Sequence, residues 1–106
     1  MRCAIAAVLR DAGYVVVESE SGEEAIALCE SNTLIDIVFT DINLAGAATG
    51  WDVAKAFRMA RPNTSVLYTS GKTIDPKRCV PGSVFVAKPY RSSDVVNVCH
   101  QVAARF

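Results

Sequence analysis

The sequence predicts an α/β fold with a largely parallel sheet. Helical and strand-like stretches alternate along the chain, and the strand-like stretches are almost entirely apolar, which is typical of strands covered on both faces. With 106 residues, the chain has enough length for one hydrophobic core, and we expect a single domain over residues 1–106.

The N-terminal half predicts two helices and two strands. Apolar residues at helical spacing indicate a helix from Met1 to Ala12. The β-branched run Tyr14–Glu18 predicts a strand. A capping-box sequence begins the next helix, over Ser21–Glu30, and the apolar run Leu34–Thr40 predicts a buried strand.

The C-terminal half predicts the same alternation. Thr49 caps a helix that runs to Arg61, where a proline follows. Ser65–Thr69 and Val84–Ala87 are predicted strands, and the weakly patterned stretch between them has room for a short helix at most. A serine then caps the last helix, which carries an apolar stripe.

Composition excludes several function classes. The 11 basic and 11 acidic residues cancel, so there is no electrostatic footprint for nucleic acid. No apolar stretch is long enough to span a membrane, and we expect a cytoplasmic protein. The four cysteines are far apart and the chain has one histidine, which fits no zinc-binding spacing and favours free thiols.

Three predicted strands end at residues capable of chemistry, namely Asp41, Thr69 and Lys88. Ligands bind at the carboxyl ends of the strands in an open parallel sheet, so we expect these side chains to converge. A carboxylate is a nucleophile toward phosphorus, and a hydroxyl and an ammonium beside it stabilise phosphoryl oxygens. Taken singly, each residue also fits a turn or a solvated surface; their occurrence at three strand ends favours an aspartyl-phosphate site.

The chain resembles the receiver domain of bacterial response regulators over nearly its whole length. The similarity lies in Val38–Leu44, Val66–Gly71 and Val84–Tyr90, with support from Arg10–Tyr14 and Ser21–Ala25. The resemblance implies a flavodoxin-like, doubly wound parallel sheet. It also implies a role in two-component phosphorelay signalling.

The resemblance assigns roles to five positions. Asp41 corresponds to the phosphoacceptor, which receives its phosphoryl group from a histidine kinase or phosphotransfer protein. Thr69 corresponds to the switch hydroxyl, and Lys88 to the lysine that pairs with phosphate and precedes a cis proline. Phe85 corresponds to the switch aromatic, although a strand aromatic packed on the last helix is an equal alternative. The backbone carbonyl of Asn43 corresponds to a Mg²⁺ ligand, together with Asp41.

The chain departs from the family at its beginning. It starts within the first helix, so the family's first strand and the acidic pair that follows it are absent from the sequence. We therefore expect four strands and a weakened Mg²⁺ site. Three arrangements remain open: the strands flanking the missing one pair directly, a homodimer covers the gap, or the natural protein has about 15–20 more residues upstream.

The sequence leaves three functional hypotheses. The first is a phospho-receiver that signals by protein contact, which is no enzyme beyond self-catalysed phosphoryl transfer at Asp41. The second is a degenerate pseudo-receiver, an interaction or dimerisation module without phosphorylation. The third is a flavodoxin-like small-molecule binder or enzyme, which is disfavoured because the chain lacks a glycine-rich phosphate loop and a second base.

Overall fold

A computed structural model describes residues 2–31, 35–44, 46–71 and 75–103, with side chains for all of these except residues 2–4 and 76. The helices are α1 (Arg2–Asp11), α2 (Gly22–Glu30), α3 (Gly50–Ala60) and α4 (Ser92–Ala103). The strands are β1 (Ile37–Asp41), β2 (Ser65–Ser70) and β3 (Val84–Ala87), and a 3₁₀ turn covers Pro76–Arg78.

The three strands form a parallel sheet in the order β1-β2-β3. In the central strand β2, Val66 and Tyr68 belong to one hydrophobic cluster, whereas Leu67 belongs to the other. Side chains alternate between the two faces of a strand, so each cluster covers one face of the sheet. The predicted α/β fold with helices on both faces is thereby confirmed.

Each face of the sheet is covered by two helices. On one face, α2 packs against α3, and the buried side chains of α3 are Trp51, Val53, Ala54 and Phe57. On the other face, α1 packs against α4, which buries Val95, Cys99 and Val102. The apolar stripe predicted for the last helix, α4, therefore points into the cluster on this second face.

The boundaries of most elements agree with the sequence within one or two residues. Thr49 forms the predicted cap of α3, with a reciprocal capping box to Asp52. Strand β1 begins later than predicted, at Ile37, and includes Asp41. Of the residues with a predicted element or turn, Met1, Leu34 and residues 72–74 lie outside the described residues. The three cysteines with described side chains, Cys29, Cys79 and Cys99, are free thiols. Within the described ranges, no helix is long and apolar enough to cross a membrane.

The strand predicted over Tyr14–Glu18 is wrong. These residues belong to no helix or strand, and the described residues form three strands rather than four. A strand forms by backbone hydrogen bonds to a neighbouring strand. Here the carbonyl of Val16 accepts its hydrogen bond from the Arg10 guanidinium, at 3.0 Å, and not from the backbone of another strand. Direct pairing of this segment with β1 is likewise not formed, and Val15 is 97% exposed.

Candidate functional site

The carboxyl ends of the three strands meet at one edge of the sheet. Asp41 lies opposite Thr69 in the β1–β2 register, and the Ile42 N–H donates to the Thr69 carbonyl at 3.1 Å. The Lys88 N–H donates to the Ser70 carbonyl at 3.0 Å, which continues the ladder beyond the end of β3. Backbone hydrogen bonds therefore fix the relative positions of the three residues predicted to converge.

Asp41 and Lys88 form an ion pair between a carboxylate oxygen, Oδ1, and the ammonium Nζ. Both side chains are partly exposed, at 42% for Asp41 and 36% for Lys88. The Asp41 carboxylate is therefore accessible from solvent, and the Lys88 ammonium is held beside it. The Lys88–Pro89 peptide bond is cis, as the resemblance implied.

The Thr69 side chain is 2% exposed. Among the residues that the structure describes, its hydroxyl oxygen is the buried side-chain polar atom that has no hydrogen-bond partner. A buried hydroxyl without a partner costs about 1–3 kcal/mol, so such a group calls for an explanation. Thr69 lies opposite Asp41 in the sheet register, and register partners in neighbouring strands share one face of the sheet, so this hydroxyl lies on the same face as the Asp41 carboxylate.

Asn43 and Phe85 occupy different surroundings. Asn43 is exposed, in the loop that follows Asp41. Phe85 is half-buried in β3, lies opposite Tyr68, and packs against the cluster on the α2–α3 face. The alternative in which Phe85 packs against the last helix is therefore wrong, because α4 covers the opposite face of the sheet.

The described residues do not by themselves form a Mg²⁺ site. No group of three or more histidine, cysteine, aspartate or glutamate side chains is placed to hold a metal within the described ranges. The donors at the expected position are the Asp41 carboxylate, which already contacts Lys88, and the carbonyl of Asn43. Mg²⁺ requires near-octahedral oxygen coordination, and one carboxylate paired with a lysine does not fit that requirement.

Two residues near Asp41 were not predicted to belong to the site. Burial raises the pKa of the Tyr90 phenol, and the Asp41 carboxylate raises it further, whereas Lys88 opposes the shift. The Tyr90 ring meets Phe39 edge-on at 5.8 Å. The feature of the sequence that could have indicated Tyr90 is its position as an aromatic residue directly after Lys88-Pro89.

Gly50 is the second of these residues. It begins α3, and a Cβ atom built there would lie 2.1 Å from the carbonyl oxygen of Asp41. Its N–H donates to the Ile42 carbonyl at 2.8 Å. Only glycine permits this close approach of the helix start to the end of β1. A glycine directly after the predicted Thr49 cap was the signal for it.

Comparisons with known proteins identify the family. A family model described as the response regulator receiver domain matches residues 1–99. A response regulator receiver protein from Sinorhizobium medicae is 32% identical with a TM-score of 0.91, and the match covers 95% of this chain and 83% of that one. The receiver domain of the hybrid histidine kinase CckA is 28% identical with a TM-score of 0.80, covering 95% of this chain and 87% of that one.

One sequence relative is a longer protein than this chain. The cell cycle transcriptional regulator CtrA of Caulobacter vibrioides is 29% identical over 102 residues, which are 92% of this chain and 43% of that protein. The chain therefore spans less than half the length of this curated relative. From the family match and the shared fold, the chain belongs to the response regulator receiver domains of two-component systems.

Proposed function

We propose that this receiver domain accepts a phosphoryl group on Asp41 from a histidine kinase or phosphotransfer protein. The observation that carries the proposal is the combination at one sheet edge of an accessible carboxylate, a paired ammonium and a buried hydroxyl without a partner. These are a nucleophile and two groups suited to phosphoryl oxygens.

The transfer itself requires one bond to form and one to break. A carboxylate oxygen of Asp41 bonds to phosphorus while the phosphorus–nitrogen bond of the donor phosphohistidine breaks, and the electron pair of that bond leaves with the imidazole. Lys88 offsets the negative charge on the transferred oxygens. The Thr69 hydroxyl donates a hydrogen bond to one of them, which gives this buried group its partner.

The signal then leaves through a change of surface. Movement of Thr69 toward the phosphoryl group alters the packing of β2 against β3, where Phe85 lies opposite Tyr68. Phe85 is the switch aromatic in this proposal, and a protein partner reads the changed surface. The similar proteins include the receiver domain of a hybrid histidine kinase and a transcriptional regulator. This similarity supports a partner within two-component signalling for the present chain.

Incubation with acetyl phosphate tests the proposal. We expect the intact chain to gain about 80 Da per phosphoryl group, slowly and with a weak dependence on Mg²⁺, because the described site offers one carboxylate. Asp41→Asn removes the gain. Asp36→Asn is the matched control, since Asp36 is an exposed aspartate just before the opposite end of β1. Equal mass gain in the Asp41→Asn variant would refute the assignment.

A second candidate is a pseudo-receiver that acts by protein contact without phosphorylation. The single carboxylate at the described site favours it, because metal-assisted transfer needs further oxygen ligands. Under this candidate, neither acetyl phosphate nor a phosphohistidine donor adds mass. Fluorescence of the buried Trp51, whose ring lies 5.0 Å from that of Tyr68, then stays constant as Mg²⁺ is added.

A further inference from the structure

The loop between β1 and α3 forms the rim of the Asp41 site. Its described part comprises residues 42–44 and 46–49, here called the site loop. Its two ends are joined by the hydrogen bond from the Gly50 N–H to the Ile42 carbonyl, at 2.8 Å. This bond leaves the middle of the site loop to be held by other contacts.

The first turn of α2 holds that middle part. The Glu23 carboxylate oxygen Oε1 accepts a hydrogen bond from the Ala48 N–H at 2.9 Å. The other oxygen, Oε2, lies 2.5 Å from the position that a Cβ atom on Gly46 would occupy, and Gly46 has a φ of +93°. Both oxygens of one carboxylate therefore face the site loop.

The start of α2 is itself fixed against the site loop. Gly22 is buried, and a Cβ atom built on it would lie 2.9 Å from the Cβ of Ala48. The Ser21 hydroxyl caps the helix by accepting from the Glu24 N–H at 3.1 Å. The Glu23 side chain thus extends from an ordered turn toward the loop.

A carboxylate in the first turn of a helix also interacts favourably with the helix dipole, whatever else it touches. Glu24 separates the two roles, because it lies in the same first turn and is exposed. A change that follows substitution of Glu23 but not substitution of Glu24 therefore results from the contact with the site loop and not from the helix dipole.

We propose that Glu23 is a positioning residue of the phosphorylation site. It holds the site loop against α2 and thereby fixes the backbone at Asn43 and Asp41. Its effect on phosphoryl transfer rests on the proposed function of Asp41. Its effect on the loop does not, since that effect follows from the contacts with Ala48 and Gly46 alone.

Three variants test the role of Glu23 by amide NMR and by phosphorylation with acetyl phosphate. In Glu23→Ala we expect the Ala48 amide to exchange with solvent about tenfold faster, because its acceptor is lost. We also expect shifted Asn43 and Asp41 amide signals and a phosphorylation rate lower by at least about threefold. Glu23→Gln retains an acceptor oxygen and restores wild-type behaviour, and Glu24→Ala behaves as wild type.

A second perturbation approaches the same contact from the loop. Gly46→Ala places a methyl group against the Glu23 carboxylate and is expected to shift the same amide signals. Part of that effect disappears in the Glu23→Ala background, where the carboxylate is gone. Strictly additive shifts in the double variant would show that the two residues act independently.

The outcomes separate the two proposals. If the wild-type chain takes up no phosphoryl group, the proposed function fails, and the amide signals still decide the role of Glu23. Unchanged Asn43 and Asp41 signals in Glu23→Ala overturn the positioning role, as does an equal effect of Glu24→Ala. A wild-type phosphorylation rate in Glu23→Ala also overturns it.

Discussion

Replacing Thr69 by valine is expected to stabilise the fold. The Thr69 side chain is 2% exposed and, in the described part of the chain, its hydroxyl oxygen has no partner. Valine keeps the β-branched shape and removes the buried polar atom. The expected gain in the free energy of unfolding is about 1–3 kcal/mol, the cost of an unsatisfied buried hydroxyl. Urea unfolding measures it, and the melting temperature should rise by roughly 4–8 °C per kcal/mol.

Thr64→Val is the matched control for this experiment. Thr64 is 1% exposed, but its hydroxyl donates to the Ile35 carbonyl at 3.1 Å. The same substitution there removes a hydrogen bond and is expected to cost about 0.5–1.5 kcal/mol. The two variants should therefore change stability in opposite directions. A loss of stability in Thr69→Val equal to that in Thr64→Val would refute the claim that the Thr69 hydroxyl lacks a partner.

Three further predictions concern the ends of β1 and α3. Asp41→Asn should shift the free energy of unfolding by less than about 1 kcal/mol, because its pair with Lys88 is partly exposed; a larger change in urea unfolding would contradict this. Gly50→Ala should lower the free energy of unfolding by about 3 kcal/mol or more, because its Cβ would lie 2.1 Å from the Asp41 carbonyl oxygen. Gly71→Ala is the control, since a Cβ there meets open space and should leave thermal unfolding unchanged. Equal effects of the two substitutions would count against the close approach at Gly50. The hydrogen bond from the Thr49 N–H holds the pKa of Asp52 below its ordinary value, so ionised Asp52 stabilises the fold above the unfolded-state pKa, and this stabilisation is lost as pH falls through the folded-state pKa. In Asp52→Asn the melting temperature should therefore fall less steeply with decreasing pH in the acid range. An unchanged pH profile would exclude this contribution.

The elements best predicted from the sequence are those whose local signals agree with their packing. Val84–Ala87 is a strand by composition and by structure, and α3 begins after a capping box and ends before a proline. The segment Tyr14–Glu18 has equally strong strand propensity but forms no strand. Strand formation depends on a neighbouring strand in space, which local composition does not specify.

The site shows the same division. The convergence of Asp41, Thr69 and Lys88 could be predicted because strand ends in a parallel sheet share an edge. The contact between Glu23 and Ala48 could not, because it joins a helix start to a distant loop and depends on the path of that loop. The face of the sheet on which Phe85 packs also depends on register, which composition leaves open.

The central claim is that Asp41 is the residue that carries the phosphoryl group. Borohydride reduces an acyl phosphate to an alcohol, so reduction after incubation with a phosphodonor marks the aspartate that was phosphorylated. Peptide mass spectrometry then locates the reduced residue. We expect the mark at Asp41 and none at the other described aspartates next to a sheet or helix end, such as Asp36 and Asp52. A mark at any other aspartate, with Asp41 unmodified, would contradict the assignment.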